Sequence, residues 1–446
     1  MGSYPESTVP RFSVEVYQNE YLPAGGREVN AIVTVTCRGG TGAPRASART
    51  REPGGGPDAA VVIMVDCSGS MQYPPEKMRN ARDATAAAIG ALRDGVAFAV
   101  VSGTHQASEV YPGGGRLAVA DAGTRAQAVH ALRALSAGGG TAIGTWLRLA
   151  DRLLSSAEAP IRHGILLTDG RNEHESPESL HATLEACAGR FTCDARGVGT
   201  DWEVKEVTGI ASALLGSADI VADPAGLAAD FTRMMETAMG KEVGDVNLRL
   251  WTPVGAEVVF VKQVAPTVED LTDRRTEAGA RAGDYPTGSW GVESRDYHLC
   301  VRVPPAEVGR EMLAARVSLT APPAGDGTSE TPARGLIRAV WTDDMAASTS
   351  INPQVAHYTG QAELAQVIQQ GLDARKSGDW GRATAKLGRA VHLAHAAGNE
   401  ETAKLLAKVV DVVDVATGTV RLKRDVAEAD KMTLETRSTK TVRVKK

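Results

Sequence analysis

What this 446-residue chain lacks narrows its class before any motif is read. No apolar run approaches the roughly 20 residues that a bilayer-spanning helix needs, and Met1 to Val16 has no basic-then-apolar leader pattern. A soluble, cytoplasmic chain with no membrane span is therefore expected. Neither charge sign is in surplus: 49 Lys plus Arg face 54 Asp plus Glu, a net charge of -5. That removes the overall basic excess that favours a nucleic-acid backbone, so no nucleic-acid partner is expected. Cysteine is scarce and scattered, at Cys37, Cys67, Cys187, Cys193 and Cys300. An odd, widely spaced set is no disulfide framework, and Cys187 and Cys193 stand too far apart for a CxxC pair, so all five read as small buried apolar residues. A G-x-x-x-x-G-K-[ST] phosphate loop is also missing, so any ATPase serving this protein has to be another polypeptide.

What is present is a change of pattern along the chain. Arg11 to Gln18 and Val29 to Thr36 alternate apolar and polar residues with a period of two, as half-buried antiparallel strands do. Gly39 to Pro57 reads as a linker. From Ala60 to about Gly240, apolar strands alternate with helix-length segments. The run Val61 to Val65 has the continuous apolar character of a central parallel strand, and Glu76 to Leu92 has helical spacing. This order implies an α/β unit with a doubly wound, mainly parallel sheet, over residues 58–240. After Gly244 strands return, and with the two N-terminal strands they suit an antiparallel β-sandwich made of 11–45 plus 243–345, into which the α/β unit is inserted. A C-terminal α-helical domain is expected over 353–428, with three stripes, the last comprising Leu405, Leu406, Val409, Val412 and Val413. The tail 431–446 has six basic residues against one Glu and reads as disordered.

The residues that carry chemistry follow the first buried strand. Asp66, Ser68 and Ser70 sit at i, i+2 and i+4 in the loop that leaves it, and can turn a carboxylate and two hydroxyls to one side. Thr141 closes a glycine-rich turn (GGGT) that opens a helix, and Asp169 ends the Gly164 to Thr168 strand. In an open α/β sheet the loops at the carboxyl ends of the strands meet at the switch point. Two carboxylates and three hydroxyls there make a hard-oxygen set suited to Mg²⁺ or Mn²⁺. Singly, each residue is an ordinary turn former or helix cap. Five together, in order, point to a site. No nucleophile stands beside a base: Ser68 is not in a G-x-S-x-G elbow, and His105 has no spacing that recommends it for catalysis. An enzyme is not expected.

These residues resemble the von Willebrand factor type A domain, whose metal-ion-dependent adhesion site has the pattern D-x-S-x-S, then Thr, then Asp. Asp66, Ser68, Ser70, Thr141 and Asp169 fill it in order, and the resemblance covers about residues 58–240. It implies a central first strand, direct metal contacts from Ser68, Ser70 and Thr141, contacts partly through water from Asp66 and Asp169, and an open metal position for a partner's Asp or Glu. The function expected is a non-enzymatic, Mg²⁺-dependent scaffold or regulatory adaptor. The alternatives are a metal-bearing subunit of an AAA-type ATPase or chelatase-like complex, and a surface adhesin, against which the missing leader argues. Gly378 to Asn399 resembles one tetratricopeptide-type helix pair, though a stable array needs about three. The layout is similar to that of bacterial cytoplasmic type A proteins, which accompany kinase and phosphatase systems. Thirteen Lys against 36 Arg suit a GC-rich genome. Thr433, Thr436, Thr439 and Thr441 among basic residues would suit a phosphothreonine-binding partner.

Overall fold

In the computed structural model the described residues are 11–39, 57–321 and 333–443; the segment read as a linker lies, apart from Gly39 and Pro57, outside them. They gather into two compact units. One comprises 57–245 with 288–291; the other comprises 11–39, 246–287, 292–321 and 333–443.

The first unit is organised by the strand Ala59–Asp66, buried at every position. Such a strand has no solvated face and needs parallel neighbours covered on both sides. It lies in the middle of a seven-stranded sheet, between Ile161–Thr168 and Ala97–Gly103, with Thr192–Val198 and Ala218–Val221 continuing the parallel run. Val61, Ile63 and Val65 pack with the helices Glu76–Ala91 and Leu227–Met239 in one apolar cluster. The helix Ile143–Ser155 lies against Ala59–Asp66 and Ala97–Gly103. Its Trp146 approaches so closely that a Cβ on Gly103 would sit 2.2 Å from the indole. Two short strands at the sheet edge, Ala107–Tyr111 and Ala118–Val119, pair antiparallel with Ala97–Gly103. They are absent from the sequence reading because neither is long enough, nor buried enough on one face, to show a period of two.

In the second unit, Arg11–Gln18 pairs with Glu28–Arg38, which pairs with Glu293–Arg302 and through it with Glu257–Ala265. The N-terminal strands thus find their partners some 260 residues later, Val33 opposite Tyr297, as expected for an interrupted antiparallel sheet. A second sheet in this unit runs through 282–287, 246–251, Glu311–Thr320 and Arg334–Trp341. The two sheets meet where Gly335 lets Val14 and Val16 approach; a Cβ there would lie 2.6 Å from Val16 Cγ2. The fold class expected from the sequence is therefore present: a doubly wound, mainly parallel sheet, antiparallel sheets around it in sequence, and a C-terminal helical region. The strand Ala282–Gly291 is missing from the sequence reading because Gly and Pro interrupt its pattern.

Two C-terminal expectations are corrected. The third helix stops at Val409, and Val410–Asp414 forms a hairpin with Thr419–Leu422. Val412 and Val413, expected in a helical stripe, are exposed on that hairpin. The run VVDVVD satisfies either periodicity, and β-branched residues favour the strand. The disordered tail is corrected as well, as far as Arg443: Glu428–Arg437 is a helix with Met432 and Leu434 buried. Beyond it, Thr439 O accepts from Val268 N and Thr441 N donates to Pro266 O. Composition averaged over the tail hides two well-placed apolar side chains and a strand-like edge. The five cysteines are all buried, and burial pushes the Cys67 thiol up to about 12 and those of Cys187 and Cys300 up to about 11, so these three thiols are poor nucleophiles.

Candidate metal-binding site

Parallel pairing of Ala59–Asp66 with Ile161–Thr168, Val65 opposite Leu167, brings the two strand ends to the same sheet edge, so Asp66 and Asp169 leave it side by side. The loop after Asp66 is held by its backbone: Cys67 N donates to Gly103 O, Gly69 N to Gly139 O, and Gly138 N to Cys67 O. Those last two bonds fasten the D-x-S-x-S loop to the GGGT turn, where Gly139 takes φ +79, a conformation that glycine adopts without steric cost. His174 accepts from Thr141 N through Nδ1 at 3.2 Å, and its own N–H donates to Thr141 O. The N-terminus of helix Ile143–Ser155 is capped from outside, Asn172 Oδ1 accepting from Ile143 N and Glu175 Oε2 from Gly144 N. An anionic cap on the positive helix end fixes the turn that carries Thr141.

On this frame the five predicted residues come together. Ser68 Oγ and Ser70 Oγ are 2.8 Å apart, and Ser70 Oγ donates to Asp169 Oδ1 at 2.6 Å. Thr141 reaches the same place. A Cβ on Gly170 would lie 3.0 Å from Ser70 Oγ, 3.6 Å from Thr141 Oγ1 and 3.8 Å from Ser68 Oγ, so three hydroxyl oxygens converge on one small volume that glycine leaves free. Asp66 sits one step back. Its Oδ1 accepts from Ser68 N at 2.8 Å, and its Oδ2 accepts from Thr168 Oγ1 at 2.7 Å. Asp66, Ser68, Thr141 and Asp169 are all buried. Desolvation drives the Asp66 carboxyl up to about 6, against hydrogen bonds from Ser68 and Thr168 that favour its charge, and the neighbouring Asp169 adds to the rise.

Sequence reasoning missed Lys77, Thr168, Asn172, His174 and Glu175. Lys77 Nζ lies 2.7 Å from Asp169 Oδ2, 3.4 Å from Ser70 O and 3.3 Å from Asp201 Oδ2. Burial pulls its ammonium down, but the hydrogen bonds and charges of Asp169 and Asp201 outweigh that and leave it raised. The only early signal was a Lys next to a helix start, where the dipole disfavours a cation. Among the described residues no group of three or more His, Cys, Asp or Glu is placed to hold a metal. The set at Gly170 differs in kind, since hydroxyls make up most of its donors. Small, hard oxygens facing a glycine suit a hard divalent cation.

The comparisons with known proteins agree with this frame. Residues 59–220 match the model of the von Willebrand factor type A domain, and 392–438 match that of the von Willebrand factor type A C-terminal domain. A solved von Willebrand factor type A structure from Catenulispora acidiphila is 50% identical, covers 99% of each chain and superposes with a TM-score of 0.90. The chain belongs to the von Willebrand factor type A family. Domains of this type generally mediate protein–protein interactions. The crystal structure of the ArnB paralog VWA2 from Sulfolobus acidocaldarius, 15% identical over 97% of this chain and 98% of that one, has a TM-score of 0.56 and shares the fold. No curated protein matches the chain. The C-terminal match places the Val410–Leu422 hairpin and the final helix inside a unit that accompanies the type A domain, rather than at a ragged end. Among the described residues no helix is long and apolar enough to cross a membrane.

Proposed function

We propose that this type A protein is a non-enzymatic, divalent-metal-dependent interaction protein, a scaffold or regulatory adaptor that takes up an Asp or Glu of a partner protein. The observation that supports it is the convergence of Ser68, Ser70 and Thr141 hydroxyls, with Asp169 hydrogen-bonded to Ser70, on the volume beside Gly170. Ser68, Ser70 and Thr141 would hold Mg²⁺ or Mn²⁺, with Asp66 and Asp169 supplying charge behind them. The bound ion supplies a Lewis-acidic position for an incoming carboxylate. This chain's own residues do the rest: the loop-to-turn bonds at Gly69 and Gly138 keep the hydroxyls preorganised, and the cap from Asn172 and Glu175 holds Thr141 in place. A pull-down in Mg²⁺ and in EDTA, with Asp169→Ala as control and bound proteins identified by mass spectrometry, tests the reading. A partner that Mg²⁺ retains on wild type and that is lost with EDTA or with Asp169→Ala is expected. Mg²⁺ titrations that are indistinguishable for wild type and Asp66→Ala would overturn the proposed metal role.

A further inference from the structure

The Lys77 ammonium is part of the same cluster, and its position is not explained by the helix that carries it. Lys77 is the second residue of Glu76–Ala91, next to the positive end of the helix dipole, which opposes a cation. Its side chain is only 12% exposed and points to Asp169, a carboxylate with no solvent exposure, rather than outward. The other contact, Asp201 at 3.3 Å, is 69% exposed, so water screens it. The charges gathered at the hydroxyl cluster itself are therefore two carboxylates, Asp66 and Asp169, and one ammonium, Lys77, while the buried side chain of Glu175 nearby is paired with Arg148. Two carboxylates alone would neutralise a divalent ion and leave only its open coordination position, with no net charge, to attract an acidic partner. With Lys77 beside them, the ion leaves the site with one positive charge.

We propose that Lys77 is a tethered counter-cation that competes with the divalent ion for Asp169 and inverts the charge of the loaded site, so that one partner carboxylate completes neutrality. This rests on the reading of Asp66, Ser68, Ser70, Thr141 and Asp169 as a metal site. Lys77 acts as a positioning residue: it weakens metal binding by repulsion and by occupying Asp169 Oδ2, and it makes acceptance of a carboxylate favourable only after the metal has arrived. A partner bearing Asp or Glu is repelled by the site with no metal and attracted with it, which makes metal and partner binding mutually dependent.

The test is calorimetric titration of the full chain with Mg²⁺ for wild type, Lys77→Gln, Lys77→Arg and Asp169→Ala. Lys77→Gln is expected to bind Mg²⁺ about tenfold more tightly, or more, because a unit charge a few ångströms from the ion is removed in a poorly screened site. Lys77→Arg keeps the charge and is expected to stay near wild type. A merely structural Lys77 predicts the opposite sign, since a damaged site binds more weakly. In a second arm, ¹³C-labelled acetate is added to the Mg²⁺-saturated proteins, and wild type is expected to broaden its signal more than Lys77→Gln does. Equal or weaker Mg²⁺ binding by Lys77→Gln, with wild type still binding, overturns the role of Lys77 while sparing the metal site. Equal broadening overturns the charge inversion. Absence of Mg²⁺ binding by wild type and Lys77→Gln alike overturns both the proposal and the metal reading beneath it.

Discussion

Asp66 is a buried carboxylate with no cation among its hydrogen-bond partners, so the unit that carries it should be less stable when that carboxylate is charged. Its group is raised from 3.8 in an unfolded chain to about 6 in the folded one. At 1.36 kcal/mol per unit of pKa, this costs about 3 kcal/mol at pH 8. The sign follows from proton counting. Between pH 4 and 6 the folded state holds a proton that the unfolded state has lost, so stability is full below about pH 4 and falls as pH rises through 6. Asp66→Asn removes the charge and keeps the bonding: its carbonyl still accepts from Ser68 N, and its amide donates to Thr168 Oγ1, whose proton turns to Gly170 O, already 3.2 Å away. The variant should therefore be about 2–3 kcal/mol more stable than wild type in EDTA at pH 8 and about equal to it below pH 4. It should also lose the Mg²⁺ stabilisation, since only a site that binds the ion in the folded state gains from it. Because the chain has two units, the assay is urea unfolding with pulsed hydrogen–deuterium exchange at one common pH, read on peptides from Ala59–Asp66 and Ile161–Thr168. A wild-type-minus-variant difference that stays flat from pH 4.5 to 7.5, or an Asp66→Asn protein less stable than wild type in EDTA, would refute the reasoning.

Other outcomes follow from named contacts. Gly170→Ala puts a methyl 3.0 Å from Ser70 Oγ, at a backbone position without positive φ, so it should fold and yet bind Mg²⁺ at least about tenfold more weakly in calorimetry, the methyl taking the volume on which the hydroxyls converge. His298, buried with Nε2 3.0 Å from Asn30 Oδ1, is lowered by desolvation to about 4, with the Lys262 charge adding to it. Its folded value is depressed, so its contribution of about 3 kcal/mol is present above pH 6.5 and is lost as pH falls through 4; peptides from Glu293–Arg302 should show this acid sensitivity in wild type and much less of it in His298→Gln. Arg443 clamps buried Asp296 with two 2.8 Å bonds, while Thr34 and Tyr358 hydroxyls supply the others. Arg443 is 43% exposed, so Arg443→Ala should cost about 1–2 kcal/mol rather than the larger penalty of a fully buried pair, with Asp296→Asn recovering part of it in urea unfolding.

The five hydroxyl and carboxylate residues could be read before any fold because three of them lie within five positions and the other two sit at a glycine turn and a strand end, places that local pattern alone announces. Lys77 could not. Its spacing from Ser70 is ordinary, and only the pairing of two parallel strands brings Asp169 within 2.7 Å of it. Asn172, His174 and Glu175 are similar cases: their roles are to accept from Ile143, Thr141 and Gly144 N–H groups some 30 residues away, and nothing in a single sequence encodes that meeting. The C-terminal departures have another cause. VVDVVD fits a helix stripe and a strand equally, and the choice is made by the partner strand Thr419–Leu422.

The fold class, the central apolar strand, the interruption of the sandwich strands and the hard-oxygen character of the candidate site are legible from residues alone, because each is written in local periodicity or in residue type. How charge is distributed around those oxygens, and where 428–443 pack, depends on contacts between residues far apart in the chain. Burial turns Asp66 into a costly carboxylate, and strand pairing turns Lys77 into a counter-cation. The proposed dependence of the site's charge on a bound ion rests on desolvation and distance, and neither is a property of any one residue.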